Sequence, residues 1–161
     1  MEKLPSYGPC FMCGKENPYG LQLELFAEGE EVVVDFQVPE HYCGYQGLIH
    51  GGILSGVLDE VMWWAASWRC SCACLTVEMT VRYKSPAPID RRYRATARVS
   101  KDKNKVIEVV GEIKDLEKGN VCVTGQGKYF ILRGEENREV LVFMDFSDCS
   151  EQTRSRYEKG E

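Results

Sequence analysis

Hydrophobic and polar positions along this chain change their period twice, and the changes outline a fold. Leu21, Leu23 and Leu25 alternate with polar residues. After the turn residues Glu28-Gly29-Glu30, the run Val32-Val33-Val34-Asp35-Phe36-Gln37-Val38 is rich in β-branched residues, which predicts a first hairpin. A loop rich in Gly, Tyr and His follows from Pro39 to Ile49. The stretch from about Gly51 to about Trp68 then reads as one long helix, with the poor helix formers Gly51 and Gly52 confined to its first turn. Its run of Leu58, Val61, Met62, Trp63, Trp64, Ala65 and Ala66 predicts burial on nearly every side. Four strand-like segments come next, at about 73–83, 92–100, 105–114 and 121–132, separated by turns such as Asp102-Lys103-Asn104 and Glu117-Lys118-Gly119-Asn120. Two strands, a helix and four strands predict an α+β domain whose antiparallel sheet wraps around the helix.

Residues 1–20, punctuated by Pro5, Pro18, glycines and cysteines, read as an extended lead-in to a domain spanning 21–133. From Gly134 the chain turns polar, and 134–161 is expected to be a mostly flexible tail interrupted by the apolar island Leu141-Val142-Phe143-Met144.

Composition narrows the picture. At 161 residues, 43% of them hydrophobic, the chain suits one domain with a real core. A net charge of -5 without a basic run argues against nucleic acid as a partner. The absence of an 18-residue apolar run and of a basic-then-apolar N-terminus argues against membrane insertion and export, so a cytoplasmic protein is expected. The eight cysteines are accordingly expected to be free thiols. Cys10 and Cys13 form half of a zinc motif, but no second pair stands at zinc-ribbon spacing, so no metal is expected. Cys70, Cys72 and Cys74 read as small buried thiols.

The chemistry concentrates in the helix. Asp59 and Glu60 interrupt an apolar run, where a helix packed on a sheet ordinarily keeps its acids on the wet face. Backbone N–H groups at a helix start lack internal partners and carry the positive end of the dipole, so Gly51 and Gly52 present amides to an anion or a developing oxyanion. Asp59 lies eight residues further on, roughly 12 Å along the axis, so one helix cannot bring both groups to one carbonyl. Two antiparallel copies related by a two-fold axis can, and twice over. Ser55 shares a stripe with Asp59, and Gly56 with Glu60, giving a polar seam that can face a partner. A carboxylate with an oxyanion-type N–H suits acyl transfer to water. The plain alternative is a pair of solvated or ion-paired helix acids after a glycine turn.

Four stretches carry a resemblance: Gly47-Leu48-Ile49-His50-Gly51-Gly52, Leu58-Asp59-Glu60-Val61-Met62, Thr76-Val77-Glu78-Met79-Thr80-Val81-Arg82-Tyr83, and Ser85-Pro86-Ala87-Pro88. In order and spacing they resemble the hotdog-fold acyl-CoA thioesterases, in particular the PaaI-like group of the 4-hydroxybenzoyl-CoA thioesterase superfamily. Cys10-Phe11-Met12-Cys13-Gly14, with Asn17-Pro18 and Gly20-Leu21, is similar to the lead-in of one subgroup, so the likeness covers roughly residues 10–132. It implies a β-β-α-β-β-β-β hotdog domain that works as a homodimer or a dimer of dimers, acts on acyl-CoA and needs no cofactor.

Carried over by residue, the resemblance makes Asp59 the catalytic carboxylate, the Gly51 amide of the partner subunit the group that polarises the thioester carbonyl, and His50 a histidine lining that site. It adds Gly52, Gly47, Gln46, Thr76 and Glu60 as substrate-binding positions, with Thr76 helping to place the water. Several family members have Asn or Gln six residues before the motif histidine, where this chain has Gly44 and its nearest amide is Gln46. Trp63, Trp64 and Tyr45 are possible acyl-pocket walls as well as core or interface residues. Arg82, Lys84, Arg91, Arg92, Lys103 and Lys105 are possible partners for the coenzyme A phosphates as well as ordinary surface charges. A non-catalytic hotdog module that binds acyl thioesters is the alternative reading, and a hotdog dehydratase a more distant one.

Overall fold

The computed structural model describes residues 1–158; the last three positions of the expected tail, 159–161, lie outside the described residues. The strands are β1 (Glu2–Lys3), β2 (Phe26–Glu28), β3 (Glu31–Phe36), β4 (Cys74–Tyr83), β5 (Tyr93–Lys103), β6 (Val106–Asp115) and β7 (Val121–Ile131). The helices are α1 (Gly51–Cys70), α2 (Gly134–Leu141) and α3 (Glu151–Glu158). All seven strands form one antiparallel sheet in the order β1-β2-β3-β5-β6-β7-β4. The sheet wraps α1, as the strand and helix periods predict, with a short β1 added at the far edge.

Helix α1 ends where Ser71 turns left-handed (φ 57°). It buries Leu54, Val57, Leu58, Val61, Met62, Trp64, Ala65 and Ala66, which leaves few positions for acids except where the surroundings supply donors. Its close seat on the sheet requires two facing glycines, Gly111 on β6 and Gly125 on β7. A Cβ on Gly125 would lie 2.4 Å from Leu58 Cδ2, and one on Gly111 3.0 Å from Met62 Cγ.

The first hairpin is shorter than its alternation suggests. Leu23 and Leu25 are buried and their neighbours Gln22 and Glu24 exposed, as expected, yet the strand starts only at Phe26. Gln22 takes a positive φ of 50°, and the N–H groups of Leu21 and Leu23 bond the carbonyls of Phe11 and Met12 at 3.0 and 2.8 Å. The lead-in therefore captures the hydrogen bonds that would have extended the sheet.

The lead-in and residues 134–158 both join the body. Leu4 and Cys13 are buried, and β1 pairs with β2. Residues 134–158, expected as flexible tail, form α2 and α3, docked by polar groups as well as by apolar side chains. Asn137 Oδ1 accepts from Ala73 N at 2.7 Å, the buried Tyr157 hydroxyl bonds Ser67 Oγ at 3.1 Å, and the Arg156 guanidinium lies 4.3 Å over the Trp68 ring. Of the apolar island, Leu141 and Met144 pack on the core while Val142 and Phe143 remain exposed. Among the described residues, no helix is long and apolar enough to cross a membrane.

Candidate active site

Asp59 points from α1 toward the sheet, where two hydroxyls meet it. Thr76 Oγ1 on β4 donates to Asp59 Oδ1 at 3.1 Å, and Tyr129 OH on β7 donates to the same oxygen at 3.0 Å. Sheet register explains the convergence, because Thr76 and Tyr129 are directly paired across β4 and β7. The register slips between Thr76 and Glu78, and such bulges re-aim side chains locally. Both bonds fall on one carboxylate oxygen, so Oδ2 remains available to a water or an acyl carbon.

The Tyr129 side chain is fully buried. Burial, and secondarily the negative charge of Asp59, push its phenol well above the ordinary tyrosine range. The group therefore stays a donor at any working pH. Nothing in spacing or motif pointed to Tyr129, because only the pairing of β4 with β7 carries it to Asp59.

At the other end of the motif, His50 caps α1. Its Nδ1 accepts from Gly52 N at 2.9 Å, which places the imidazole proton on Nε2. The Gly52 amide is thereby engaged by the chain's own histidine, so only its neighbour can serve an incoming oxygen. Gly51, the first helical residue, has no partner for its N–H among the described residues. Its carbonyl accepts from Tyr83 OH at 2.9 Å, and the same hydroxyl lies 2.5 Å from Ser55 Oγ, so Tyr83 pins the first turn of α1. Ser55 is thus occupied rather than facing outward as part of an open seam.

A groove of about 600 Å³ opens at this helix start, lined among others by Gly44, Tyr45, His50, Gly51, Tyr83 and Lys84. A Cβ at position 44 would lie 3.2 Å from His50 Cα and Cδ2, so the glycine there keeps the histidine ring uncrowded. Gly47 makes the loop turn (φ 74°) and its carbonyl accepts from Ile89 N at 3.1 Å. Gln46 is exposed and does not line the groove. Of the basic residues considered for phosphate, Arg91 is paired with buried Asp115 at 2.8 Å and Lys103 with Glu108, whereas Lys84 lines the groove.

Glu60, one residue after Asp59, faces a different wall. Cys10 Sγ lies 3.9 Å from its Oε2, and Trp64 Nε1 donates to Oε1 at 3.1 Å. Burial pushes this carboxyl up to about 7, and negative charge at Cys10 adds to the effect. The Gly56–Glu60 stripe thus meets the chain's own lead-in. Trp64 is buried, and Trp63 donates to Cys74 O at 2.7 Å, so both belong to the packing around α1. Tyr45 is 84% exposed at the groove mouth.

The sheet wrapped on a central helix defines a hotdog fold. The model of the thioesterase superfamily matches residues 46–122, from the loop before α1 to the start of β7. A crystal structure of a thioesterase superfamily protein is 27% identical with a TM-score of 0.67, covering 73% of this chain and 60% of that one. The E. coli PaaI protein of the phenylacetic acid degradation operon is 19% identical (TM-score 0.65; 71% and 82% covered). A Streptococcus mutans protein solved with acetyl-CoA is 15% identical (TM-score 0.62; 68% and 88% covered). An uncharacterised protein of Schizosaccharomyces pombe is 26% identical over 115 residues, 69% of this chain, which spans 65% of that relative's length. Over residues 46–122 the chain is similar to the thioesterase superfamily, and it shares the hotdog fold of that superfamily's solved members.

Proposed function

We propose that this protein hydrolyses an acyl-CoA thioester to the free acid and coenzyme A, with Asp59 as general base or nucleophile and the Gly51 amide of the partner subunit polarising the carbonyl. The carrying observation is the division of labour on α1. One carboxylate has a tethered oxygen and a free one, and of the two glycine amides only Gly51's is left unengaged. In the general-base route Asp59 takes a proton from water as the water oxygen bonds the acyl carbon. The oxyanion gathers at the Gly51 N–H, and collapse expels coenzyme A thiolate, which recovers the proton from Asp59. In the nucleophilic route Asp59 bonds the acyl carbon and coenzyme A leaves as its thiolate; water then cleaves the mixed anhydride to the free acid, regenerating the Asp59 carboxylate and giving its second proton to the thiolate. Thr76 and Tyr129 hold the carboxylate in either case, and Lys84 is placed for a coenzyme A phosphate.

A homodimer, or a dimer of dimers, is part of this reading, because the two catalytic groups lie too far apart along one helix. Strand β4 supports it: it ends the sheet, is ten residues long and exposes Leu75 (56%) and Val77 (63%). A long apolar edge strand of this kind is a template for a second chain. The alternative of a non-catalytic module that binds acyl thioesters rests on Gly44, which offers no side chain where several family members carry an amide.

Thiol release from short, medium, long and aromatic acyl-CoAs, with wild type and Asp59→Ala side by side, tests the proposal. Turnover that falls about 10²- to 10⁴-fold in the variant is expected, the span typical of general acid–base groups. Undiminished turnover in Asp59→Ala sinks the mechanism, and tight acyl-CoA binding without turnover in wild type establishes the binding module instead.

A further inference from the structure

The lead-in carries the one cluster of metal-ligating side chains found among the described residues. Cys10 Sγ, Cys13 Sγ and a Glu60 carboxylate oxygen all lie within 4.8 Å of one another. The Cys10–Glu60 separation of 3.9 Å is close to the edge of a tetrahedron built on metal–sulfur and metal–oxygen bonds of about 2.3 and 2.1 Å, roughly 3.6 Å.

The backbone around the thiols is shaped as a knuckle. Met12 N donates to Cys10 Sγ at 3.3 Å, Gly14 N donates to Cys10 O at 3.0 Å, and Cys10 N donates to Tyr7 O at 2.8 Å. A Cβ on Gly14 would lie 2.2 Å from Gly8 O and 2.4 Å from Cys10 O, so the tight turn that brings the two sulfurs together admits only glycine. The Met12 side chain of this knuckle lies against Gly56 of the helix, its Cε 2.1 Å from where a Cβ would stand. Trp64 Nε1 holds Oε1 of Glu60 and leaves Oε2 toward the sulfur. Such a second partner is what orients a metal-binding carboxylate.

Charge points the same way. A partly buried carboxylate beside two thiols is costly without a compensating cation. The side chains that contact Glu60, Cys10 and Trp64, are not cationic.

We propose that Cys10, Cys13 and Glu60 bind one zinc ion, which fastens the lead-in to α1 one residue away from Asp59. Two thiolates and a carboxylate suit zinc among the common divalent ions, and three protein donors leave the fourth position to an exchangeable ligand such as water. The pair that looked like half of a motif is completed by a helix residue 47 positions beyond Cys13, too distant for any zinc-ribbon spacing to reveal.

Titration of the reduced full-length chain with Co(II) alone is the test, and it needs no acyl substrate, so it stands or falls apart from hydrolysis. One cobalt per chain is expected, with thiolate-to-metal charge-transfer absorption and the intense visible bands of a tetrahedral site, all bleached by one equivalent of Zn(II). Cys10→Ser/Cys13→Ser loses the thiolate absorption. Glu60→Gln weakens binding or shifts the visible bands. Cys70→Ser/Cys74→Ser keeps the spectrum, although those two sulfurs also lie only 3.8 Å apart. Absence of thiolate absorption in the reduced wild type overturns the proposal without reference to any variant. So does a band that survives Cys10→Ser/Cys13→Ser, or a Cys10–Cys13 disulfide whose reduction brings no metal uptake.

Discussion

Asp59 and Glu60 are the same functional group on adjacent residues of one helix, and they live in opposite surroundings. Consecutive helical residues point about 100° apart, so Asp59 meets the sheet and Glu60 meets the lead-in. Asp59 receives two neutral hydroxyl donors on one oxygen and keeps the other free. Glu60 receives an indole N–H and two sulfurs, and burial pushes it up to about 7. The carboxylate proposed for chemistry and the one proposed to hold a cation thus differ in what their walls donate.

The comparison can be tested from its strongest element downward. Gly51→Pro removes the proposed oxyanion donor and little else. Proline is favoured at the first helical position, and His50 already has the extended backbone (φ -60°, ψ 134°) that a residue before proline adopts. We expect kcat to fall about 10²- to 10³-fold, the usual loss for one oxyanion donor, with the circular dichroism spectrum unchanged. Wild-type kcat in this variant would remove Gly51 from the site.

Tyr129→Phe leaves packing nearly intact but deletes one donor to the carboxylate. Hydrogen bonds to charged groups are worth about 1.5–3 kcal/mol, so a fall in kcat of about 10- to 100-fold is expected with KM little changed. A purely structural Tyr129 would instead lower Tm and leave kcat alone.

Glu60→Gln is the counterpart on the other wall. It retains charge-free hydrogen bonding to Trp64 and acts on turnover only through the position of its neighbour, so a loss in kcat of about tenfold or less is expected. A loss as large as that of Asp59→Ala would erase the distinction between the two carboxylates and make Glu60 the base.

Much of this was legible along the chain. The change from alternating to helical hydrophobicity and back gave the order of strands and helix, because each element must bury one face against the others. Asp59 was legible as a candidate because an acid in an almost wholly apolar helix needs a reason, and His50-Gly51-Gly52 as a candidate because glycines at a helix start expose amides. Division of the two amides was not legible, since it depends on the His50 ring turning back onto Gly52. The docked C-terminal helices were hidden as well, because Leu141, Met144, Phe146 and Tyr157 are too scattered to form an apolar period and Asn137 and Arg156 dock through hydrogen bonding and stacking.

By itself, then, the order of residues determined the architecture and the helix that holds the candidate site, since periodic burial and backbone propensities act over a few residues at a time. Tertiary structure decided which hydroxyls reach Asp59, through the pairing of Thr76 with Tyr129 across β4 and β7. It also decided that Glu60 faces two cysteines some fifty residues upstream. Both contacts join segments far apart in the chain, and the register of strands and the seat of a helix are properties of the whole packed core that no local pattern contains.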